Sequence, residues 1–178
     1  MDELISCISN VETVGQFLSN PSSKPEFINY FFRLASEYGL VEVVRLLLAD
    51  IRVNPEDENN YAIVQSSTNG HVEVVKLLLT DPRVNPSIQN NWPIRWASIK
   101  GNVEVVRILL ADSRVDPTAY NNSAIWYASQ NGHVEIVRLL LQDARVDASD
   151  AKSNNPEIKE LLAQWKYHPS RLHNQTSQ

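Results

Sequence analysis

The residues of this chain that could do chemistry beyond packing are four histidines, one cysteine and two recurring sets of acid–base pairs. A catalytic histidine needs a nucleophile or a carboxylate within hydrogen-bond reach, and a metal ion needs three or four ligands at matched spacing. His71 and His133 stand in the same phrase, "NGHVE", two copies apart. If copies stack at about 10 Å, the two rings are about 20 Å from each other and cannot share an ion. His168 and His173 have no cysteine beside them, and Cys7 has no basic neighbour in sequence to lower its thiol pKa, so it reads as a core or near-core thiol. Four of the five glycines serve as punctuation, which leaves no glycine loop to cradle a phosphate. No catalytic residue, metal or cofactor is expected, and the chain does not read as an enzyme.

The charged pairs are equally regular. Glu42 with Arg45, Glu73 with Lys76, Glu104 with Arg107 and Glu135 with Arg138 are three residues apart, the spacing of neighbours on an exposed helix face. Arg52, Arg83, Arg114 and Arg145 form a second column, each two residues after Asp50, Asp81, Asp112 or Asp143. This column reads as a self-satisfied, solvated stripe rather than a landing site for an acidic partner.

The pairs recur because the chain recurs. Gly39, Gly70, Gly101 and Gly132 are 31 residues apart and open the phrases "GLVEVVRLLLADIRVNP", "GHVEVVKLLLTDPRVNP", "GNVEVVRILLADSRVDP" and "GHVEIVRLLLQDARVDA". A fixed period of this length marks a solenoid, propeller or array. Val72, Val75, Leu78 and Leu79 fall at helical spacing with Glu73 and Lys76 turned away, which predicts a short amphipathic helix. A first helix lies upstream in each copy, in "YAIVQSSTNG", "WPIRWASIKG" and "SAIWYASQNG". Its buried side carries Ile63, Ile94 and Ile125, and the small residues Ser66, Ala97 and Ala128, then Ser67, Ser98 and Ser129, allow close approach of neighbours. Pro93 suits a first turn, where its missing N–H is no loss.

Helices of roughly 8–10 residues are too short to be stable alone in water, so stacking must hold them. Between copies, Val53, Val84, Val115 and Val146 stand alone among polar residues as buried anchors. The paired asparagines 59 and 60, 90 and 91, and 121 and 122 mark a tight reversal, because asparagine tolerates the left-handed backbone region. At the ends, 10–21 reads as a degenerate second helix preceded by a truncated first helix at 2–8. "NNPEIKELLAQW" reads as a capping helix with Asn155 as N-cap, Pro156 in the first turn and Glu157 near the positive end. The last dozen residues have no helical period and are expected to be mobile unless they fold back.

The chain of 178 residues is 43% hydrophobic with a net charge of -5, enough for one domain and without the basic surplus of a nucleic-acid binder. Its amino terminus lacks a signal-peptide layout, no apolar run reaches the roughly 20 residues of a membrane span, and a lone cysteine suits a reducing compartment. A soluble, cytoplasmic protein is expected. The Asn121-Asn122-Ser123 and Asn174-Gln175-Thr176 triplets match a glycosylation pattern that such a chain would not present to that machinery.

The phrases Gly70–Leu79 and Gly132–Leu141 resemble the second helix of ankyrin repeats, and Val53-Asn54 and Val84-Asn85 resemble the exit that follows it in the family. The resemblance covers about 1–165. It implies an all-α ankyrin-repeat solenoid of stacked helix-turn-helix units, with loops projecting as β-hairpin fingers and a structural hydrogen bond from the histidines to the loop. The family's usual opening of the first helix is replaced by Trp92-Pro93-Ile94-Arg95 and its counterparts, and the period is two residues short of the family's. The wording "LLADSRVDP" and "IRWAS" is similar in style to ankyrin proteins of giant amoeba viruses and their hosts. One domain is expected over 1–166, about five repeats plus the capping helix, with 167–178 as a tail.

The first helices carry the variation. The face that the resemblance places on the concave surface reads Tyr30, Leu34, Glu37, Tyr38; Tyr61, Gln65, Thr68, Asn69; Trp92, Trp96, Ile99, Lys100; and Ser123, Tyr127, Gln130, Asn131. Scaffold positions must match from copy to copy, whereas binding positions must differ. Trp92, Trp96 and Tyr127 flanked by Arg95 and Lys100 have the aromatic and arginine character of an interface. Tyr61, Gln65 and Gln130 extend that face, and Asp57, Glu58, Gln89 and Tyr120 at the loop tips flank it. Trp92 and Trp126 have an alternative reading as cover for the loop bases. The expected function is a monomeric, non-catalytic module that binds another protein, with no nucleic acid, membrane or small molecule as partner. Self-association as a structural scaffold, or a substrate adaptor with a second motif in the tail, are the alternatives.

Overall fold

A computed structural model describes residues 2–167, without the side chains of residues 2–4 and 7. The expectations for the Cys7 thiol, His168, His173, the 174–176 triplet and the tail therefore fall outside the described residues. Within them the chain forms eleven helices: α1 (Asp2–Ser9), α2 (Val11–Ser19), α3 (Pro25–Glu37), α4 (Val41–Leu48), α5 (Asp57–Asn69), α6 (Val72–Leu79), α7 (Ile88–Lys100), α8 (Val103–Ala111), α9 (Ala119–Gln130), α10 (Val134–Gln142) and α11 (Pro156–Lys166).

They stack as two parallel rows. The first helices α3, α5, α7 and α9 pack in sequence, the second helices α2, α4, α6, α8 and α10 do the same, and α11 closes against α10. One continuous core runs between the rows, from Val14 and Phe32 through Ile63, Ile94 and Ile125 to Ile158. The buried positions of the second helices are Val74, Val75 and Leu78 and their counterparts. Val72 and Leu79 are only half-buried. A helix wedged between two neighbours and a first helix buries a wider arc than the single stripe read from the sequence, and Val74 lies on the added part. Asn155 caps α11 as expected, its side chain accepting from the backbone N–H groups of Glu157 (2.9 Å) and Ile158 (3.4 Å).

The loops depart from β-hairpins. Among the described residues there is no strand. Instead α5, α7 and α9 each open with three residues wound in the opposite hand: 58–60 with φ of 49 to 59°, 89–91 with φ of 50 to 60°, and 120–122 with φ of 54 to 56°. The right-handed helix begins only after them, so Pro93 sits in a first turn. Left-handed backbone costs about 1–2 kcal/mol per L-residue, least for asparagine, and the paired asparagines fill two of the three places.

The second asparagine also reaches across units. The side-chain carbonyl of Asn60 accepts the backbone N–H of Asn85 (2.9 Å), Asn91 that of Asp116 (2.8 Å) and Asn122 that of Asp147 (2.8 Å). Asn29 does the same for Asn54 (2.8 Å) from within α3.

The arginine column is also more than a solvated stripe. Arg83 grips its own Asp81 through Nη2 (2.6 Å) and donates to the backbone carbonyls of Val53 (3.1 Å) and Leu48 (3.1 Å) in the preceding unit. Arg114 repeats this with Asp112, Val84 and Leu79, Arg145 reaches Val115, and Arg52 reaches Leu18 and Asn20. Each aspartate fixes its arginine so that the fork points backwards along the stack. The correction follows from distance in the chain: the carbonyls lie about thirty residues away from the arginine, where no local pattern points to them. The i, i+3 pairs all form on the exposed back, and Arg107–Glu135 (3.8 Å) and Arg138–Glu157 (3.0 Å) extend them between units.

Two outcomes are expected. Asn91→Ala loses both the tolerance for positive φ and the bond to Asp116, and should destabilise the fold by about 2–3 kcal/mol in urea unfolding; Asn91→Gly, which keeps the backbone freedom, should cost less. The carboxyls of Asp50, Asp81, Asp112 and Asp143 are held below the ordinary carboxylate range, chiefly by the hydrogen bonds from their arginines. A depressed folded pKa contributes stability that is complete above the unfolded value near 3.9 and is lost as pH falls through the folded one. The melting temperature should therefore fall steeply below about pH 4, and Asp112→Asn should shrink that fall.

Candidate functional site

The histidines hold the turn between the two helices of a unit onto the preceding unit. The Nε2 of His71 lies 2.7 Å from the carbonyl of Glu37, and that of His133 lies 3.0 Å from the carbonyl of Ile99. A carbonyl only accepts, so each ring carries its proton on Nε2. Asn69 (3.0 Å) and Asn131 (3.3 Å) donate to the same two carbonyls, which end the preceding first helices. Of the two copies without histidine at this position, the first carries Leu40 and the other Asn102, which donates to Ser67 (2.9 Å) and Thr68 (2.8 Å) instead. Each ring also presses on a glycine. A Cβ on Gly39 would lie 2.6 Å from His71 Nδ1, and one on Gly101 would lie 2.7 Å from His133 Cε1. With φ at +71° and +80°, these glycines are required both by backbone and by contact.

The aromatic variation gathers in one place. Gln89, Trp92, Arg95, Trp96, Ile99, Tyr120 and Tyr127 line a single open groove of about 530 Å³ between α7 and α9, and Asn90 joins them. Two levels of structure position these side chains. The left-handed turns 89–91 and 120–122 carry Gln89 and Tyr120 at the tips. The helical period sets Trp92, Trp96 and Ile99 along one face. Trp92 and Trp96 are 37% and 36% exposed, a partial exposure that leaves each indole anchored yet open to a partner. The Arg95 guanidinium lies 4.3 Å from the centroid of the Tyr120 ring, and its Nη1 makes long contacts (3.5 Å) to the carbonyls of Gln89 and Asn90. Asn90 entered the sequence reading only as a turn former, and its lining role follows from the left-handed turn.

The remaining predicted residues lie apart from this groove. Glu58 and Tyr61 line a second, smaller one with Tyr30, Arg33, Leu34 and Glu37, between α3 and α5. There Asp57 pairs with Arg33, and Glu58 stands 3.6 Å from the same guanidinium. Tyr61 donates to Glu37 (2.8 Å), and its phenol is pushed up to about 12 by burial and then by that carboxylate, so it stays a neutral donor. Gln65 is half-buried on α5, Lys100 is exposed at the end of α7, and Gln130 is tied to the carbonyl of Lys152 (2.8 Å). Trp126 is 41% exposed, packs edge-to-face on Tyr127 at 4.9 Å, and borders a polar cleft with Asn121, Asp147 and Asp150 on the loop side. Arg33, which sequence reasoning passed over, is the cation of the second groove, on which Asp57 and Glu58 converge. Its signal was present, since it stands at the position that Arg95 takes two copies later.

Comparison with known families agrees with this architecture. The family model for ankyrin repeats (3 copies) matches residues 83–150. The fold is an all-α ankyrin-repeat solenoid, and the units before residue 83 repeat its helix pairs in the same stack. Ankyrin repeats are generally non-catalytic modules of protein–protein interaction. No curated protein matches the chain. Among the described residues no helix is long and apolar enough to cross a membrane, and no group of three or more His, Cys, Asp or Glu could hold a metal ion.

Gly101→Ala should cost more than about 1 kcal/mol in urea unfolding, because the methyl meets His133 and the backbone cannot relax to negative φ. The double variant Gly101→Ala with His133→Ala, which removes the contact but keeps the φ strain, separates the two contributions.

Proposed function

We propose that this chain is a monomeric, non-catalytic binding module, a single ankyrin-repeat domain over 1–166 that grips a partner protein in the groove between α7 and α9. The observation that carries the reading is the convergence of Trp92, Trp96, Tyr127, Tyr120 and Arg95 on one open surface. The apolar core and arginine positions that hold the stack together repeat from unit to unit, and these do not. Aromatic and arginine side chains that are anchored at one end and exposed at the other supply large contact area at small entropic cost, the usual character of an interface centre. Gln89 and Tyr120 at the tips form its rim. Gln65, Lys100 and Gln130 on the helix face, with Asp57, Glu58 and Tyr61 at the second groove, extend the same side of the stack. A lone cysteine supports a cytoplasmic reading, and the wording of the repeats alone supports kinship with ankyrin proteins of giant amoeba viruses and their hosts.

The test is a pull-down with the intact chain against a host-cell lysate, run beside Trp96→Asp and the back-face control Glu73→Gln. The protein captured by the wild type should be retained by Glu73→Gln and lost with Trp96→Asp, while the far-ultraviolet helix signal of all three stays the same. Loss of the helix signal in Trp96→Asp would assign Trp96 to packing and remove it from the site. Light scattering over a concentration series supplies the check on state: a mass that rises with concentration, and falls back in Trp96→Ala, would replace this reading with self-association.

A further inference from the structure

The two grooves provide an internal comparison. Arg33 in α3 and Arg95 in α7 occupy the same position of the repeat, 62 residues apart, and the loop tip that faces each comes from the next unit. At the first, that tip brings Asp57 and Glu58, and both stand against the Arg33 guanidinium. At the second, the corresponding residues are Ala119 and Tyr120, so the arginine meets a ring face instead of carboxylates. Among the described residues Arg95 is the one arginine that no carboxylate approaches within 4.0 Å. Its Nε is buried and makes no hydrogen bond, and none of the residues lining its groove is acidic.

A guanidinium stacked on an aromatic face keeps its N–H donors in the plane of the fork, the geometry that a carboxylate fills with two parallel bonds. We propose that the groove receives a peptide segment of a partner protein in which a carboxylate stands beside a bulky apolar side chain. The carboxylate pairs with Arg95, and the apolar group lies against Trp92, Trp96 and Tyr127. This inference rests on the reading of the groove as a binding face and adds the chemistry of what it takes. Charge complementarity selects this occupant over the others. A second copy of the chain would bring a net charge of -5 against a molecule of the same charge, and residues 168–178 of this chain carry Arg171 and no Asp or Glu. A single arginine on the groove wall suits one carboxylate rather than a run of phosphates.

The experiment is selection of a phage-displayed library of random dodecapeptides on the full-length chain, followed by fluorescence polarisation of the synthesised winners. Enriched peptides should carry Asp or Glu next to Leu, Ile, Phe or Trp. Their affinity should fall at least about tenfold with Arg95→Gln, with Tyr120→Glu, and when the peptide's own acid is changed to its amide. Tyr120→Glu is the more telling variant, because it supplies in place the carboxylate that Glu58 supplies to Arg33, at an exposed tip where folding is not at risk. Peptides that lose binding with Trp96→Asp but hold equally well to Arg95→Gln and Tyr120→Glu would overturn the carboxylate and leave the groove standing as a binding face. Peptides indifferent to Trp96→Asp as well, or a selection that enriches nothing, would overturn both.

Discussion

Among the described residues, no helix can keep itself. The second helices run eight or nine residues and present apolar side chains over a wide arc, so an isolated unit would leave Val74, Val75 and Leu78 in water and would melt. Burial between units is the condition for the secondary structure, and the polar bonds between units serve to bring them to the separation at which burial is complete. The core accordingly runs the length of the stack, and the residues at its heart, Ile63, Ile94 and Ile125, do the same task in successive copies.

Apolar contact alone would allow neighbouring units to slide. Three polar ladders remove that freedom. The asparagine carbonyls at the loop returns, the arginine forks at the loop exits and the histidine or asparagine donors at the turns between helices each bind the backbone of an adjacent unit, and they do so at three different edges of it. Backbone groups are the same in every unit, so a ladder built on them is indifferent to which side chains the first helices display. That indifference lets Trp92 and Trp96 follow Tyr61 and Gln65 along one surface while the stack beneath them keeps its pitch.

What could be read in advance followed from which interactions are local. The period of 31 exposes the helices, the valine anchors and the asparagine returns, because each depends on residues within one unit. The direction of Arg83 and Arg114 was not readable, since the aspartate two residues away gave a sufficient local account and the carbonyl targets lie some thirty residues back. The hand of 58–60, 89–91 and 120–122 was readable at the asparagines and hidden at Glu58, Gln89 and Tyr120, which have no preference for that region and are carried into it by the two residues that follow. For the groove, helical spacing put Trp92, Trp96 and Ile99 on one face, the ankyrin resemblance put Tyr127 of the next unit on the same surface, and the four line one hollow. Neither could tell that Glu58 and Tyr61 belong to a separate hollow, because that depends on how far apart alternate units stand.

The arginine rungs have a mechanical meaning. Arg83, Arg114 and Arg145 each clasp the unit before them, so the rungs lie in series and a tension applied along the stack acts on all of them until the weakest gives. Under stretching, the stack should yield stepwise, each rupture paying out one repeat of 31 residues, or roughly 100 Å of extended chain. Units that have not yet given way would keep their own surfaces intact.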